Sequence, residues 1–226
     1  MTHHAPTNTA SCALRGETSK RLVLLRHAQA GLHGRFCGHS DPRLTEQGRA
    51  QLPAIVHGLS LASIQPSAIW SSDLQRARET AAPIAEYFGL QCLTAPDLRE
   101  MNFGLWEGLT WSQIEAEYPQ DAQAWMEHFP RHRPPGGESF AELQARVAGE
   151  LESLASGVEA ACTLVVTHGG FIRTAVAWVL GIPDARISRI LLNHGAVTIL
   201  QKLGSHWSIA AVNLDLAVFA QINQIQ

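Results

Sequence analysis

Residues 21–25 (RLVLL) and residues 163–167 (TLVVT) are two short, mainly apolar runs without a helical period. Runs of this kind are typical of strands that are buried on both faces of a parallel sheet. A histidine follows each run: His27 comes after Arg26, and His168 comes directly after the second run. Because a sheet buried on both faces needs helices on both sides, the two runs favour an α/β fold.

The rest of the chain alternates between helical and strand patterns. Ser71 and Ser72 stand where they would cap the second helix, and Gly89 stands where it would end it. This alternation predicts an α/β fold, a three-layer sandwich with a mostly parallel central sheet and helices on both faces. The predicted strands cover residues 21–25, 67–70, 91–94, 163–167, 196–201 and 207–213, and the predicted helices cover residues 45–61, 73–88, 111–117, 120–128, 138–155 and 170–180.

The composition excludes several classes of protein. The 226 residues are 46% hydrophobic with a formal net charge of -3, which excludes a largely disordered chain and disfavours a general nucleic-acid binder. No apolar run reaches the roughly 18 residues that a membrane-spanning helix requires. The four cysteines form no CxxC pair, so we expect reduced thiols and a cytoplasmic protein. We expect residues 1–20, which are polar and lack the apolar core of a signal peptide, to form a flexible N-terminal tail.

The two histidines that follow the buried strands are the first candidates for a functional site. Ligands of open α/β sheets bind beyond the carboxyl ends of the strands, where His27 and His168 are expected to lie. Gly169 and Gly170 open the next helix, whose first N–H groups favour an anion. Arg26 adds a permanent positive charge, and a guanidinium can bind two phosphate oxygens at once. A structural histidine, or a surface arginine paired with a carboxylate, is the alternative at each single position.

Five motifs follow one another along the chain: LLRHA at residues 24–28, GHSDPRLT at 38–45 with Gly48, SSDLQRA at 71–77 with Thr80 and Ala81, LREMNFG at 98–104 with WEG at 106–108, and VVTHGG at 165–170. They resemble the motifs of the histidine phosphatase superfamily, in its phosphoglycerate-mutase-like branch. The resemblance covers about residues 21–213 and implies the phosphoglycerate-mutase-like fold, with a single catalytic domain over residues 21–226.

The resemblance implies a role for each matched residue. His27 would be the nucleophile that forms a phosphohistidine, and Glu100 would be the general acid that protonates the leaving oxygen. The remaining residues of the implied site would bind the phosphoryl oxygens: Arg26, Arg76, His168 and Gly169.

These residue types also suit phosphoryl transfer on chemical grounds. A neutral imidazole nitrogen is a competent nucleophile near pH 7, and nearby arginines disfavour the imidazolium form, so His27 should stay neutral. Guanidinium groups stabilise the negative charge that spreads over the phosphoryl oxygens during transfer. Because arginine and histidine supply the positive charge, we expect neither a metal ion nor another cofactor.

The loop after the proposed nucleophile departs from the family pattern. Ala28 and Gln29 stand where the family usually has glycine and glutamate, and the stretch from His27 to Gly38 is shorter than usual. His33 is a candidate to replace an asparagine that often contacts phosphate in this loop. These differences bear on the substrate and the catalytic efficiency more than on the mechanism.

Two features of residues 106–138 have two interpretations each. Trp106, Trp111 and Trp125 either pack a core or a lid, or line a pocket for an aromatic substrate. Glu138 is either a carboxylate in the first turn of a helix or a contact to the substrate.

Within the superfamily, the segment EMNFGLWEG at residues 100–108 resembles the phosphatases, and the chain lacks the longer basic middle insertion of the mutases. The subgroup it resembles most is α-ribazole phosphatase, which implies a phosphomonoesterase acting on α-ribazole 5′-phosphate in cobalamin biosynthesis. The alternatives are a phosphoglycerate mutase, a broad-specificity sugar or nucleotide phosphatase, and a non-catalytic phosphate-binding module. We expect a small phosphomonoester as the partner, with neither nucleic acid nor membrane, and the sequence leaves a homodimer open.

Overall fold

The computed structural model describes residues 19–32, 34–157, 160–216 and 218. Six strands form one sheet: β1 (Lys20–Arg26), β2 (Ala68–Ser72), β3 (Cys92–Ala95), β4 (Cys162–Thr167), β5 (Ala196–Leu203) and β6 (His206–Asp215). Their order across the sheet is β3-β2-β4-β1-β5-β6. Each predicted strand is confirmed, with bounds shifted by about one or two residues.

The sheet is mixed. Strands β1 to β4 run parallel to one another, whereas β5 and β6 pair antiparallel at one side. The register sets Arg26 of β1 beside Thr167 of β4, and the N–H of His27 donates to the Thr167 carbonyl at 2.9 Å. The residues that follow these strands, His27 and His168, therefore emerge side by side at one edge of the sheet.

Helices cover both faces of the sheet, which confirms the three-layer prediction. They are α1 (Glu46–Leu61), α2 (Gln75–Phe88), α3 (Trp111–Glu117), α4 (Pro119–His128), α5 (Phe140–Gly157) and α6 (Gly169–Leu180). Side chains alternate between the two faces of β1, as they do in any strand. Val23 and Leu25 pack in the core under α1 and α2, whereas Leu22 and Leu24 pack in the core under α5 and α6.

The short helices α3 and α4 stand apart over a small aromatic cluster. Thr110 and Gln113 form a capping box at the start of α3, and Pro119 opens α4. Trp106 is fully buried beneath them, and its ring meets that of Trp125 at 5.5 Å between centroids. The core interpretation of Trp106 is therefore confirmed.

The prediction that Ser71 and Ser72 cap α2 is wrong. Both are the last residues of β2, both are buried, and Ser71 pairs with Val166 of β4. Helix α2 begins at Gln75, after Leu74 at the N-cap, which makes no side-chain cap bond. Pairing in a buried strand outweighs the local preference of serine for helix caps, and a sequence pattern does not show that pairing.

Helix α5 begins at Phe140, two residues later than predicted. The Ser139 hydroxyl accepts the N–H of Glu142 at 3.2 Å, and the Glu142 carboxylate accepts the N–H of Ser139 at 2.8 Å. This capping box fixes the helix start, so Glu138 lies before the helix and not in its first turn. The predicted end of α2 at Gly89 is confirmed, because that glycine has a left-handed φ of 64°.

Some predictions fall on residues outside the described ranges. Residues 1–18 of the predicted tail lie outside them, as do His33 and the last eight residues of the predicted domain. The next residues of that tail are described, and β1 begins at Lys20. Within the described ranges, no helix is long and apolar enough to cross a bilayer.

Candidate active site

A cavity of about 1120 Å³ opens at the carboxyl ends of β1 and β4. It is lined by four of the six predicted site residues, Arg26, His27, Arg76 and Glu100, whereas His168 and Gly169 are not part of the lining. Arg26 is the last residue of β1 and His27 follows it, while the first turn of α2 carries Arg76. Glu100 follows the 3₁₀ helix Pro96–Leu98. The fold thus brings together residues that lie up to 74 positions apart in the chain.

The side chain of His27 is held in one tautomer. Its Nδ1 lies 2.7 Å from the carbonyl oxygen of Ala28, and a carbonyl can only accept, so Nδ1 carries the proton. Nε2 is then left with its lone pair. Burial, and then the charge of Arg76, hold the pKa of His27 well below its ordinary value. The residue is therefore a neutral imidazole with a basic nitrogen available to a phosphorus atom.

His168 lies against His27, and the two rings meet edge to face with centroids 5.1 Å apart. His168 has no exposed surface, and neither ring nitrogen has a hydrogen-bond partner among the described residues. Burial, with the charge of Arg76 as the next cause, also lowers the pKa of His168 well below its ordinary value. A buried polar group without a partner is costly, so these nitrogens are available as partners for a bound anion, although His168 itself is not among the residues that line the cavity.

Arg26 is held by the segment that precedes β5. Its Nη1 donates to the carbonyl of Leu192 at 2.6 Å, while its Nε is buried without a partner. Burial lowers the pKa of Arg26, and the Glu100 carboxylate opposes that shift. A Cβ at Gly169 would lie 3.2 Å from Nε of Arg26, so the first residue of α6 packs directly against the guanidinium.

Arg76 is buried, with 1% of its surface exposed. Its Nη1 donates to the carbonyl of Ser40, and its Nη2 donates to the carbonyl of Gly38, both at 2.7 Å. A guanidinium has five N–H donors, so three remain after these two bonds. Arg76 can therefore be fixed by the loop and still bind phosphoryl oxygens.

Glu100 is held by backbone N–H groups. Its Oε1 accepts from Met101 at 2.9 Å, and its Oε2 accepts from Gly170 at 2.8 Å. The ion pairs among the described residues do not include Glu100. The Glu100 carboxyl group is therefore held by the backbone and is not committed to an arginine among the described residues. Each oxygen keeps a second acceptor position, which can carry a transferable proton.

Arg146 of α5 supports the backbone behind Glu100. It donates to the carbonyls of Asp97 at 2.7 Å and Arg99 at 2.9 Å, and its Nη2 pairs with the Glu138 carboxylate at 2.6 Å. Glu138 also accepts the N–H of Asn102 at 2.8 Å. Glu138 is therefore part of this support, and it is absent from the cavity lining.

Two kinds of wall surround the cationic floor of the cavity. One wall is formed by rings: Phe36, Phe103, Trp111, Trp125, Phe129 and Phe140. The other wall carries amides, which come from the loop after β1 and the first turns of α1: Gln29, Gln47 and Gln51. Trp111 and Trp125 thus line the cavity and also pack against the cluster around Trp106, and an aromatic substrate stays a prediction.

A family model described as the histidine phosphatase superfamily, branch 1, matches residues 22–215. The chain belongs to this superfamily. Its match spans every motif that carries the candidate site.

Several members of the superfamily are similar to this chain. A glucosyl-3-phosphoglycerate phosphatase of Mycobacterium tuberculosis is 37% identical over 177 residues, which are 74% of this chain and 78% of that protein. A metal-independent phosphoserine phosphatase of Arabidopsis thaliana is 34% identical over 192 residues, 83% of this chain and 79% of that protein. The crystal structure of an α-ribazole phosphatase from Shigella flexneri superposes with a TM-score of 0.76 at 25% identity, over 85% of this chain and 96% of that one.

Some relatives are much longer. A bifunctional protein of Mycobacterium tuberculosis is 33% identical over 199 residues, which are 87% of this chain but 54% of that protein. The chain thus spans about half the length of these relatives.

The sequence analysis gave no role to two residues of the cavity lining, Arg173 and His194, or to Glu107, which lies outside that lining. Arg173 lines the cavity, and its Nε donates to the carbonyl of Ile190 at 2.8 Å. His194 also lines it, with its ring centroid 5.4 Å from that of His27. Glu107 was quoted within a motif but was given no role. Helical spacing after Gly170 could have pointed to Arg173, whereas no local pattern marks the loop that carries His194.

The described residues hold no group of three or more histidine, cysteine, aspartate or glutamate side chains with the arrangement of a metal site. The charged groups that line the cavity are four guanidinium groups and two carboxylates, those of Glu100 and Asp215, and guanidinium nitrogens are not metal ligands. The donor set therefore suits an anion.

Proposed function

We propose that this chain is a phosphomonoester hydrolase that works through a phosphohistidine on His27. The observation that carries the proposal is the tautomer of His27, whose Nδ1 is committed to Ala28 and whose ring is kept neutral by burial and by the charges of Arg76 and Arg26. The phosphatase names of relatives at 34–37% identity support it. Some relatives are about twice as long as the matched region, so their names describe more than this chain. The proposal therefore rests mainly on the geometry of the site.

The reaction has two halves. In the first, the Nε2 lone pair of His27 forms a bond to phosphorus while the bond from phosphorus to the ester oxygen breaks. The Glu100 carboxyl group gives its proton to that oxygen, which leaves as an alcohol. In the second half, the Glu100 carboxylate takes a proton from water as the water oxygen attacks phosphorus. The nitrogen–phosphorus bond breaks, its electron pair returns to Nε2, and inorganic phosphate is released.

The arginines would stabilise the transferring group. Charge accumulates on the three non-bridging oxygens during transfer, and donors fixed in advance stabilise it without reorganising. Arg26 and Arg76 are both anchored to backbone carbonyls, so their remaining N–H groups are held in place. His168, whose ring nitrogens have no partner among the described residues, is proposed as a further donor to the phosphoryl group. With this charge present, the hydrolysis is proposed to need no metal ion.

The walls of the cavity bear on the substrate. A wall of aromatic rings beside an amide wall fits an ester whose alcohol carries both hydroxyl groups and an apolar ring system. α-Ribazole 5′-phosphate has both features, and the likeness to the Shigella flexneri α-ribazole phosphatase supports it as the candidate substrate. A role in cobalamin biosynthesis would follow from that substrate.

A second candidate is a phosphomonoester that carries a carboxylate. Arg173 favours it, because this arginine lines the cavity and is absent from the ion pairs among the described residues. Phosphoserine and glucosyl-3-phosphoglycerate are the named compounds of this class that the similar proteins suggest.

A panel of esters separates the candidates. We expect hydrolysis by the wild type and a loss of turnover in His27→Ala. For α-ribazole 5′-phosphate as the substrate, Trp125→Ala should lower kcat/KM more than Arg173→Gln does. For a carboxylate-bearing substrate such as phosphoserine or 3-phosphoglycerate, the order of the two variants should reverse. Failure of every ester with the wild type would favour the non-catalytic phosphate-binding module, and phosphoglycerate interconversion would favour a mutase.

A cytoplasmic location is also proposed. Cys37, Cys92 and Cys162 carry free thiols, and reducing compartments keep thiols in this form. Recovery of the protein with a periplasmic or secreted fraction would contradict the proposal.

A further inference from the structure

Glu107 binds an unusual number of backbone donors. Its Oε1 accepts the N–H of His39 at 2.7 Å and that of Phe103 at 3.1 Å. Its Oε2 accepts the N–H groups of Gly38 and Ser40, both at 3.0 Å. One carboxylate therefore holds three successive residues of a loop, together with the segment that follows Glu100.

The same loop binds the arginine at the floor of the cavity. While the N–H groups of Gly38 and Ser40 point at Glu107, their carbonyls accept the two Nη donors of Arg76 at 2.7 Å. The backbone of residues 38–40 thus forms a bridge, with a carboxylate on one side and a guanidinium on the other. The side chain of Glu107 is thus connected to Arg76 through the backbone of residues 38–40, and it is absent from the cavity lining.

The close contacts explain why the bridge begins with glycine. A Cβ at Gly38 would lie 1.8 Å from the carbonyl oxygen of Met101 and 2.6 Å from Oε1 of Glu107. No side chain fits there without moving the loop, so residue 38 can approach the carboxylate only as glycine. The bridge is therefore packed on both sides.

We propose that Glu107 is a positioning residue for phosphate binding: it fixes the loop of residues 38–40, and through that loop it fixes the guanidinium of Arg76. The inference rests on the proposed function, in which Arg76 binds phosphoryl oxygens. A guanidinium that is held in advance binds an oxyanion without first losing its own freedom of motion. Loss of the hydrogen bonds from the loop to Glu107 should thus weaken phosphate binding, although Glu107 makes no contact with the phosphate.

The ionisation of Glu107 agrees with this arrangement. Burial raises the pKa of its carboxyl group, but hydrogen bonds from Ser40, His39 and Gly38 outweigh that effect and hold the pKa below its ordinary value. The carboxylate is therefore charged at neutral pH. As a charged acceptor, it binds the loop more strongly than an amide would.

A double-mutant cycle tests the proposal by phosphate binding. The dissociation constants of inorganic phosphate and orthovanadate are measured by calorimetry for the wild type, Glu107→Gln, Arg76→Lys and the double variant. Glutamine replaces one accepting oxygen with an NH₂ group, so two of the four N–H bonds are lost. We expect about tenfold weaker binding in Glu107→Gln, since one well-aligned hydrogen bond to a charged group is worth about that factor.

The cycle separates positioning from general damage. Lysine at position 76 cannot bridge two carbonyls as guanidinium does. In the Arg76→Lys background, Glu107→Gln should therefore raise the dissociation constant of phosphate by less than about twofold. Glu142→Gln is the matched control, because Glu142 also accepts a backbone N–H but caps α5. We expect it to keep the wild-type affinity. Glu107→Asp keeps both oxygens on a shorter side chain, and its affinity for phosphate should lie between those of the wild type and Glu107→Gln.

The opposing results are distinct. The inference is overturned if Glu107→Gln binds phosphate as tightly as the wild type does. It is also overturned if the fold-changes in dissociation constant of Glu107→Gln and Arg76→Lys multiply fully in the double variant, because Glu107 then does not act through Arg76. If Glu107→Gln unfolds at the assay temperature, Glu107→Asp takes its place in the cycle with the same expectation. If the wild type itself binds neither phosphate nor vanadate, the proposed function fails and this inference fails with it.

Discussion

The rings of His27 and His168 meet edge to face with their centroids 5.1 Å apart, at the ends of two neighbouring parallel strands. Each is buried, and burial lowers the pKa of each well below the ordinary histidine value of 6.5. Two charged imidazoles at this distance, beside Arg26 and Arg76, would repel one another and both arginines. The pair is therefore neutral at neutral pH, as a nucleophile requires.

The neutral pair predicts how stability depends on pH. Below pH 6.5 the unfolded chain binds protons on both histidines while the folded chain does not, so the free energy of unfolding falls as pH falls. Each histidine contributes a slope of at most about 1.4 kcal/mol per pH unit. Urea unfolding between pH 7.5 and pH 5 measures that slope.

A pair of histidine variants assigns the slope. His168→Gln should flatten the fall in stability below pH 6.5, whereas His206→Gln, at an exposed position in β6, should leave it unchanged. An equal slope in the wild type and His168→Gln would show that His168 is not held neutral in the fold.

Gly170 predicts a test of the position of Glu100. A Cβ at Gly170 would lie 2.1 Å from Oε1 of Glu100, so Gly170→Ala should displace the carboxyl group. A displacement of about 1 Å at a catalytic group can cost about 10²-fold in rate, and we expect kcat on alkyl phosphates to fall by about that factor. Steady-state kinetics and thermal melting of the variant check this.

Gly149→Ala is the matched control within helix α5. Nothing lies within 4 Å of a Cβ at Gly149, which is exposed, so alanine should keep the wild-type rate and raise stability by about 0.5–1 kcal/mol. Comparable losses of rate in the two variants would remove the steric explanation.

Glu100→Gln tests the role of general acid. Glutamine keeps the size of the side chain but has no acidic proton to give. Alkyl alkoxides leave poorly without a proton, whereas p-nitrophenolate leaves as an anion, and general acid catalysis contributes about 10²- to 10⁴-fold. We expect a large fall in the single-turnover rate for alkyl phosphates and a much smaller fall for p-nitrophenyl phosphate. Equal losses on both substrates would assign Glu100 a purely structural role.

Part of this account was readable from the sequence, because some determinants are local. The buried strands and the residues at their ends, His27 and His168, follow from short apolar runs of the right length. Gly89 was recognisable as a helix end, since its left-handed φ of 64° is a property of glycine itself. The resemblance to a family then assigned roles to Arg26 and Glu100.

The rest depends on contacts between distant parts of the chain. The role of Glu107 depends on Gly38, which lies 69 residues earlier, and the position of His194 depends on the loop before β5. Sheet pairing overrode the local preference of Ser71 for a helix cap. Neither hydrophobic periodicity nor capping preference contains information on such pairings.

Chelation tests whether a metal ion takes part. The positive charge of the site comes from Arg26 and Arg76, so exhaustive dialysis against a chelator should leave the hydrolysis rate unchanged. Measured rates before and after chelation, and after adding back Mg²⁺ or Zn²⁺, check this. A loss of activity that only added metal restores would point to a metal-dependent hydrolase.

Trapping the covalent intermediate tests the central claim most directly. Wild-type protein is mixed with a substrate labelled in its phosphoryl group, quenched in alkali during turnover, and mapped by mass spectrometry of its peptides. The account predicts one phosphoryl group on His27, stable in base and labile in acid, and no such group in His27→Ala. A phosphoryl group on any other residue, or full turnover by His27→Ala, would contradict it.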